Sequence, residues 1–258
     1  MSHQLFDLTG RTAVVIGGTS GIGRTLALGF AEAGANTVAT GRRQDLVQSV
    51  QQEIEALGVK SLGEICDVGS AESVQEFATK VVENLGGVDI VVYAAGVTKR
   101  APTATFDLEV WNQNFDTNVA GALRVSQAFY DPLKYSKAAR IINICSLSSF
   151  RAFHEVAAYG ASKSALLSLT RNLGCEWAKD GIRTNAIVPG VFVTDLNREL
   201  LNGTERGREL LTRTPLGRFG DISELVGTAL FLASDASAFI TGSHIVVDGG
   251  FLASGVNQ

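Results

Sequence analysis

The sequence predicts an α/β fold: a doubly wound parallel sheet with helices on both faces. Three observations predict it. An apolar, β-type run at residues 11–16 leads through the turn Gly17-Gly18-Thr19-Ser20-Gly21-Ile22-Gly23 into a helical pattern from Arg24. Strand-like and helix-like segments then alternate to the end, as in a parallel sheet whose crossovers are helices. No linker, repeat or low-complexity run breaks the alternation, so residues 1–258 read as a single domain.

The opening unit carries its own physics. Gly17 and Gly21 allow a turn that side chains would strain, and they let the backbone approach a pyrophosphate. Gly23 lets the helix pack close to the strand. The helix N-terminus offers free amides and the positive end of its dipole to phosphates. A strand, glycine turn and helix in this order form the opening of a dinucleotide-binding βαβ unit.

The second strand, residues 36–40, ends at Gly41-Arg42-Arg43. An acidic residue there would bond the adenosine ribose hydroxyls and repel a 2′-phosphate. Arg42 and Arg43 instead supply guanidinium groups suited to phosphate, which favours NADP(H) over NAD(H). Two solvated loop charges would look the same. Residues 44–57 are amphipathic and helical, and residues 61–66 read as a short strand before Asp67-Val68. A helix at 71–85 precedes a strand at 88–92 and the turn Tyr93-Ala94-Ala95-Gly96. One long helix is expected from 108 to about 134, then a strand at 141–145.

Ser146 follows that strand, and from Val156 the sequence reads as helix. Tyr159 and Lys163, four residues apart, therefore share one helix face. A hydroxyl, a phenol and an ammonium near a strand's carboxyl end suggest proton transfer. Taken alone, a tyrosine and lysine at this spacing arise often by chance, and the pair gains meaning from the cofactor turn. A strand at 182–188 ends in Pro189-Gly190. Residues 193–214 are polar, charged and helical in tendency, and are expected to form a substrate lid rich in polar side chains such as Asn197, Asn202 and Arg208. A helix at 221–234 is opened by Asp221 with Glu224 three residues later, as in a capping box. The last strand, 243–247, precedes Asp248-Gly249-Gly250, and makes the expected total seven.

Composition narrows the partners. The chain is long enough to bury a sizeable core. A net charge of −4 gives no reason to expect nucleic acid or membrane. Glycine is enriched, 28 of 258 residues or about 11%, against about 7% on average. No run approaches the roughly 18 apolar residues of a membrane span, and the opening MSHQLFDLTGR lacks signal-peptide character. Three scattered cysteines, Cys66, Cys145 and Cys175, suggest neither disulfides nor a metal, and a reducing cytoplasm is the expectation. Cys145, beside Ser146, reads as a small buried strand residue before a reactive thiol.

Taken together these residues resemble the short-chain dehydrogenase/reductase family over nearly the whole chain. The family's TGxxxGxG stands as Ile16 to Gly23, its adenine-binding aspartate as Asp67, and its NNAG as Tyr93-Ala94-Ala95-Gly96. Its NxxG is Asn118-Val119-Ala120-Gly121. Its serine is Ser146, its YxxxK Tyr159 and Lys163, its PGxxxT Pro189 to Thr194. The resemblance implies a Rossmann fold and a cofactor site built from Gly17, Thr19, Ser20, Gly21, Ile22, Gly23, Arg42, Arg43, Asp67, Val68, Ala95, Gly96, Pro189, Gly190 and Thr194, with Tyr159 and Lys163. It implies a catalytic set of Asn118, Ser146, Tyr159 and Lys163, with Tyr159 as general acid or base. Lys163 and the nicotinamide charge would favour its phenolate, and Ser146 would bond the substrate oxygen. Arg24 reads as a surface charge.

Two departures stand out: Ile16 replaces a threonine, and Tyr93 and Ala94 replace both asparagines of the turn that threonine would meet. Altered loop support is expected from this paired change. The contexts of Lys99-Arg100 and Gly217-Arg218-Phe219-Gly220 resemble those of sugar-acid dehydrogenases, which puts Arg100 and His154, with Ser146 and Tyr159, at the substrate. A polar sugar acid or polyol is the leading substrate class. A 3-oxoacyl-thioester reductase shares every motif, and a nucleotide-sensing regulator without turnover is the alternative of another class. The family also implies a homotetramer.

Overall fold

The computed structural model describes residues 3–194, 197–201 and 203–255. Six parallel strands form one sheet: β1 (Thr12–Ile16), β2 (Asn36–Thr40), β3 (Ile90–Tyr93), β4 (Arg140–Ile144), β5 (Arg183–Pro189) and β6 (His244–Val247). Their order is β2-β1-β3-β4-β5-β6. The helices in chain order are α1 (Gly21–Glu32), α2 (Gln44–Ala56), α3 (Ala71–Leu85), α4 (Leu108–Phe115), α5 (Gly121–Ala128), α6 (Tyr130–Tyr135), α7 (Ala157–Glu176), α8 (Arg198–Leu201), α9 (Glu205–Thr212) and α10 (Val226–Ala233).

The strands are buried through their length because both faces are covered, and so they show no hydrophobic alternation. Along β1, Val14 and Ile16 enter the core shared with Phe77 of α3, Val125 of α5 and Leu166 of α7. Ala13 and Val15 enter the opposite core with Phe30 of α1, Ile54 of α2 and Leu232 of α10. The order in which strands are added reverses between β1 and β3, β2 lying on one side of β1 and β3 to β6 on the other, and a crevice at such a switch point is where doubly wound sheets bind ligands. Among the described residues no helix is long and apolar enough to cross a membrane.

Two expectations are corrected. The sheet has six strands among the described residues, not seven, because residues 61–66 make no continuous ladder. They run beside β2 and touch it at intervals: Thr37 N donates to Lys60 O at 3.0 Å and Cys66 N to Gly41 O at 3.0 Å. Between those points the Thr40 hydroxyl donates to Glu64 O at 2.6 Å, so a side chain takes a place that a strand would give to backbone amides. The helix expected from 108 to about 134 is also broken. A π-turn, Asp116–Ala120, joins α4 to α5, and α5 ends at Ala128, its cap Phe129 leading into α6. Pro132 stands in the first turn of α6, where a missing amide costs nothing. In a continuous helix its ring would clash with the carbonyl four residues back.

Other elements follow the sequence closely. Asp221 and Glu224 form the capping box, opening a 3₁₀ turn that runs into α10. The polar 193–214 segment carries α8 and α9, while Asp195, Leu196 and Asn202 lie outside the described residues. Thr204 caps α9 by accepting from Gly207 N at 2.9 Å.

Candidate functional site

Parallel strands bring the glycine turn after β1, the 93–96 turn after β3, Ser146 after β4 and Pro189-Gly190 after β5 to the same edge of the sheet. The turn after β1 is built for close approach. Gly17 has φ of 77°, and a Cβ there would stand 2.6 Å from Ala95 N. A Cβ on Gly23 would stand 2.1 Å from Gly17 O. Gly17 N and Gly18 N both donate to Thr40 O, which fixes the turn. At the start of α1, Ser20 makes no side-chain cap and no acidic residue occupies the first turn. The amides and positive dipole end of α1 are thus left for an anion, which suits a pyrophosphate. The Thr194 methyl lies 3.9 Å from where a Cβ on Gly21 would stand.

Around this turn sit the remaining predicted cofactor residues. Arg42 and Arg43 are exposed just past β2, with Arg43 at the N-cap of α2. Asp67 is exposed, and its Oδ1 accepts from Gly69 N at 3.0 Å, while Val68 is buried beside it. Gly190 N donates to Val247 O at 2.8 Å, and a Cβ on Gly190 would meet Asp248 Cα at 2.5 Å. Arg24 pairs with Glu53 at the surface.

The catalytic candidates converge. Ser146 opens a 3₁₀ turn, Leu147–Ser149, its Oγ accepting from Ser148 N at 3.1 Å. Ser149 Oγ donates to Lys163 O at 2.9 Å, locking that turn onto α7. The Lys163 side chain is buried, and Nζ donates to Ile144 O at 2.8 Å while standing 5.8 Å from the Tyr159 ring centre. An ammonium has three donors, so one bond to Ile144 anchors it and leaves others for the crevice. Asn118, 0% exposed, joins three elements. Its Oδ1 accepts from Val97 N at 2.8 Å, and Nδ2 donates to Val97 O and Ser162 Oγ, both at 2.9 Å. Ser162 Oγ donates in turn to Tyr159 O at 2.8 Å. Burial pushes the Cys145 thiol up to about 11, against the pull of Lys163, so it stays protonated near neutrality.

A family model described as enoyl-(acyl carrier protein) reductase matches residues 16–252. The chain belongs to the short-chain dehydrogenase/reductase family. It is accordingly an oxidoreductase that exchanges a hydride between a nicotinamide cofactor and a CH–OH or C=O group. It is 37% identical over 255 residues to gluconate 5-dehydrogenase of Gluconobacter oxydans, covering 98% of this chain and all of that one. It is 36% identical over 256 residues to 2-dehydro-3-deoxy-D-gluconate 5-dehydrogenase of Formosa agariphila, covering 98% and 97% of the two chains. The crystal structure of gluconate 5-dehydrogenase from Burkholderia cenocepacia, in complex with NADP and tartrate, superposes with a TM-score of 0.95 at 36% identity, covering 98% and 100%.

Within this family member Arg100 and His154, both predicted at the substrate, stand at the same carboxylate, that of Glu155. Arg100 Nη2 donates to Glu155 Oε2 at 2.9 Å, and Ala101 N donates to Glu155 O at 3.1 Å. His154 points outward, 83% exposed, with Nδ1 3.8 Å from the Glu155 carboxylate. Glu155, which sequence reasoning passed over, is the one non-glycine with positive φ among the described residues, at 64°. Such a conformation costs about 1 kcal/mol or more and tends to gather at functional sites. Its one signal was its place between Ser146 and Tyr159. Arg206 on α9 was one of several arginines in the 193–214 segment and was not singled out. Burial and the Arg100 cation hold its guanidinium below the ordinary value, with Glu209 and Glu155 acting the other way. Its Nε is buried without a hydrogen-bond partner. Nothing local in the sequence distinguishes it from Arg198, Arg208 and Arg213.

Proposed function

We propose that this chain is an NADP-preferring oxidoreductase for a sugar acid or a similar polar hydroxy acid. The observation that carries the substrate class is the Arg100–Glu155 pair, whose glutamate lies four residues ahead of Tyr159 along the chain. Arg206 lies within the field of that pair. Arg100, Arg206 and Arg213 stand against the carboxylates of Glu155 and Glu209, which leaves one positive charge in excess and suits a substrate carboxylate. The tartrate named with the Burkholderia cenocepacia relative is a hydroxy acid of this class. The cofactor preference rests on Arg42 and Arg43, and solved relatives are named as bound to NADP.

The cofactor, held by the glycine turn, Asp67, Gly96 and Thr194, would supply or take the hydride. Tyr159 gives its phenolic proton to the substrate oxygen in reduction and takes it back in oxidation. Ser146 donates a hydrogen bond to that oxygen and so favours the charge that develops there. Lys163 stabilises the phenolate through its ammonium and holds the nicotinamide ribose. Asn118 would position a water that links Lys163 to solvent. The described part of the 193–214 segment, with α8 and α9, supplies the lid over the substrate.

Unpaired Cys66, Cys145 and Cys175 support a reducing cytoplasm. Exposed Leu108, Tyr135 and Phe239, with the open edge of β6, support a homotetramer, to be checked by light scattering.

The test is nicotinamide absorbance with purified protein over sugar acids, polyols, small ketones and a 3-oxoacyl thioester, each with NADP(H) and NAD(H). Turnover of sugar acids with NADP(H) is expected. Turnover of the thioester alone would replace this reading with the acyl reductase. Cofactor binding with silence across the panel would favour a nucleotide sensor.

A further inference from the structure

Tyr93 closes β3 where the family pattern has an asparagine. Its side chain is almost wholly buried, and its hydroxyl donates to the carbonyl of Thr117. Burial raises the phenol from its ordinary value, so it is a donor at every working pH. Thr117 lies in the π-turn that carries Asn118, where Gly121 N reaches back five residues to Asp116 O. A π-turn shifts the hydrogen-bond register by one residue, and such turns gather at functional sites. The shift leaves a carbonyl in need of another donor.

Room for the ring is made on purpose. A Cβ on Gly121 would stand 2.5 Å from the Tyr93 hydroxyl and 3.0 Å from Val68. A second tie lies alongside: Arg124 donates to Val68 O at 2.9 Å and to Asp116 Oδ1 at 2.6 Å. The turn is thus gripped at Asp116 and at Thr117, on either side of which stand the Asp67-Val68 loop and Asn118.

We propose that Tyr93 is a positioning residue, whose hydroxyl holds the π-turn through the Thr117 carbonyl and so sets Asn118 against Val97 and Ser162. It rests on the reading that Asn118 serves Tyr159 and Lys163. The paired change of Ile16 and Tyr93 then makes sense. Ile16 lies in register with Tyr93 and accepts from Ala94 N at 2.9 Å, so strand pairing there is backbone alone, and the side chain of residue 93 is free to reach the turn.

The test is Tyr93→Phe, which keeps the ring and removes one hydroxyl. Hydrogen exchange at the amides of residues 118–121 is expected to quicken by about tenfold or more. On whichever panel compound the wild type turns over, kcat is expected to fall by about tenfold. KM and the dissociation constant for NADPH should stay within about twofold, since the hydroxyl touches neither ligand. Gly121→Ala, which pushes the hydroxyl from its place, should reproduce both changes, and it stands in if Tyr93→Phe does not fold. Unchanged exchange would overturn the proposal. So would quickened exchange with unchanged kcat, or a loss of kcat tracked by an equal loss of NADPH binding. Wild-type turnover on compounds other than sugar acids would remove the substrate reading and leave this test intact.

Discussion

Arg100 and Glu155 meet at 2.9 Å, with Glu155 held in the left-handed region at φ of 64°. The strained residue brings its carboxylate to an arginine that arrives from the loop after β3. On the proposed function a guanidinium fixed in this way would meet a substrate carboxylate, and loss of one charge-assisted hydrogen bond costs about 1.5–3 kcal/mol. Arg100→Gln should therefore raise KM for a sugar acid about 10- to 100-fold and leave kcat nearly unchanged. A neutral ketone run beside it should show no such rise; equal effects on both would assign Arg100 to structure.

Tyr159 stands beside Lys163, whose Nζ lies 5.8 Å from its ring centre. Removing its hydroxyl while keeping the ring should preserve NADPH binding, measured by fluorescence, and lower kcat by about 10²- to 10⁴-fold. Unchanged turnover in Tyr159→Phe would remove it from the chemistry.

Legibility in the sequence followed the range of the forces involved. The glycine turn after β1 could be read because its constraints are local: Gly17 and Gly23 are dictated by atoms of the same unit and of the adjacent 94–95 turn. The α7 face carrying Tyr159 and Lys163 follows from helical spacing alone. The π-turn at Asn118 could not be read, because its grip comes from Tyr93, 24 residues away, and from Arg124. The 61–66 segment looks like a strand by composition, and only the Thr40 hydroxyl bond to Glu64 shows why it never joins the sheet. Glu155 and Arg206 are ordinary surface residues by sequence, and their meaning depends on which loops meet.

Arg42 and Arg43 are exposed beyond β2 with no ion pair among the described residues. A 2′-phosphate would gain from both. Arg42→Glu should raise KM for NADPH about 10- to 100-fold through a lost contact and a new repulsion, with NADH changed little. Parallel losses for the two cofactors would mean that the arginine serves the fold rather than the phosphate.

Two glycines separate strain from collision. Gly17 and Gly58 both have positive φ, 77° and 86°, yet a Cβ on Gly17 meets Ala95 N at 2.6 Å while one on Gly58 meets nothing within 4 Å. Gly58→Ala should cost only the conformational penalty, about 1 kcal/mol. Gly17→Ala adds backbone overpacking of about 1–3 kcal/mol. Their Tm values should differ by several degrees, with NADPH binding lost in Gly17→Ala alone. Similar Tm values would show that the 94–95 turn yields easily.

The Arg218–Glu224 pair gives a pH signature with a definite sign. Arg218 reaches both carboxylate oxygens of Glu224, at 2.6 and 2.8 Å, and Asp221 N donates to it as well. The Arg218 hydrogen bond first, then the Asp221 amide, lower Glu224 from 4.5 to about 2. The folded value lies below the unfolded one, so the unfolded state binds the proton more readily between them. The stabilisation is complete above pH of about 4.5, falls as acid is added, and is gone below pH of about 2. The pair is exposed, so its effect on Tm should be small, about 2 °C or less, and weaker in high salt. The difference in Tm between wild type and Glu224→Gln should accordingly be constant from pH 6 to 8 and shrink towards pH 3. A difference that persists unchanged at pH 3 would place the effect in the neutral capping-box hydrogen bond, which glutamine keeps only in part, rather than in the charge.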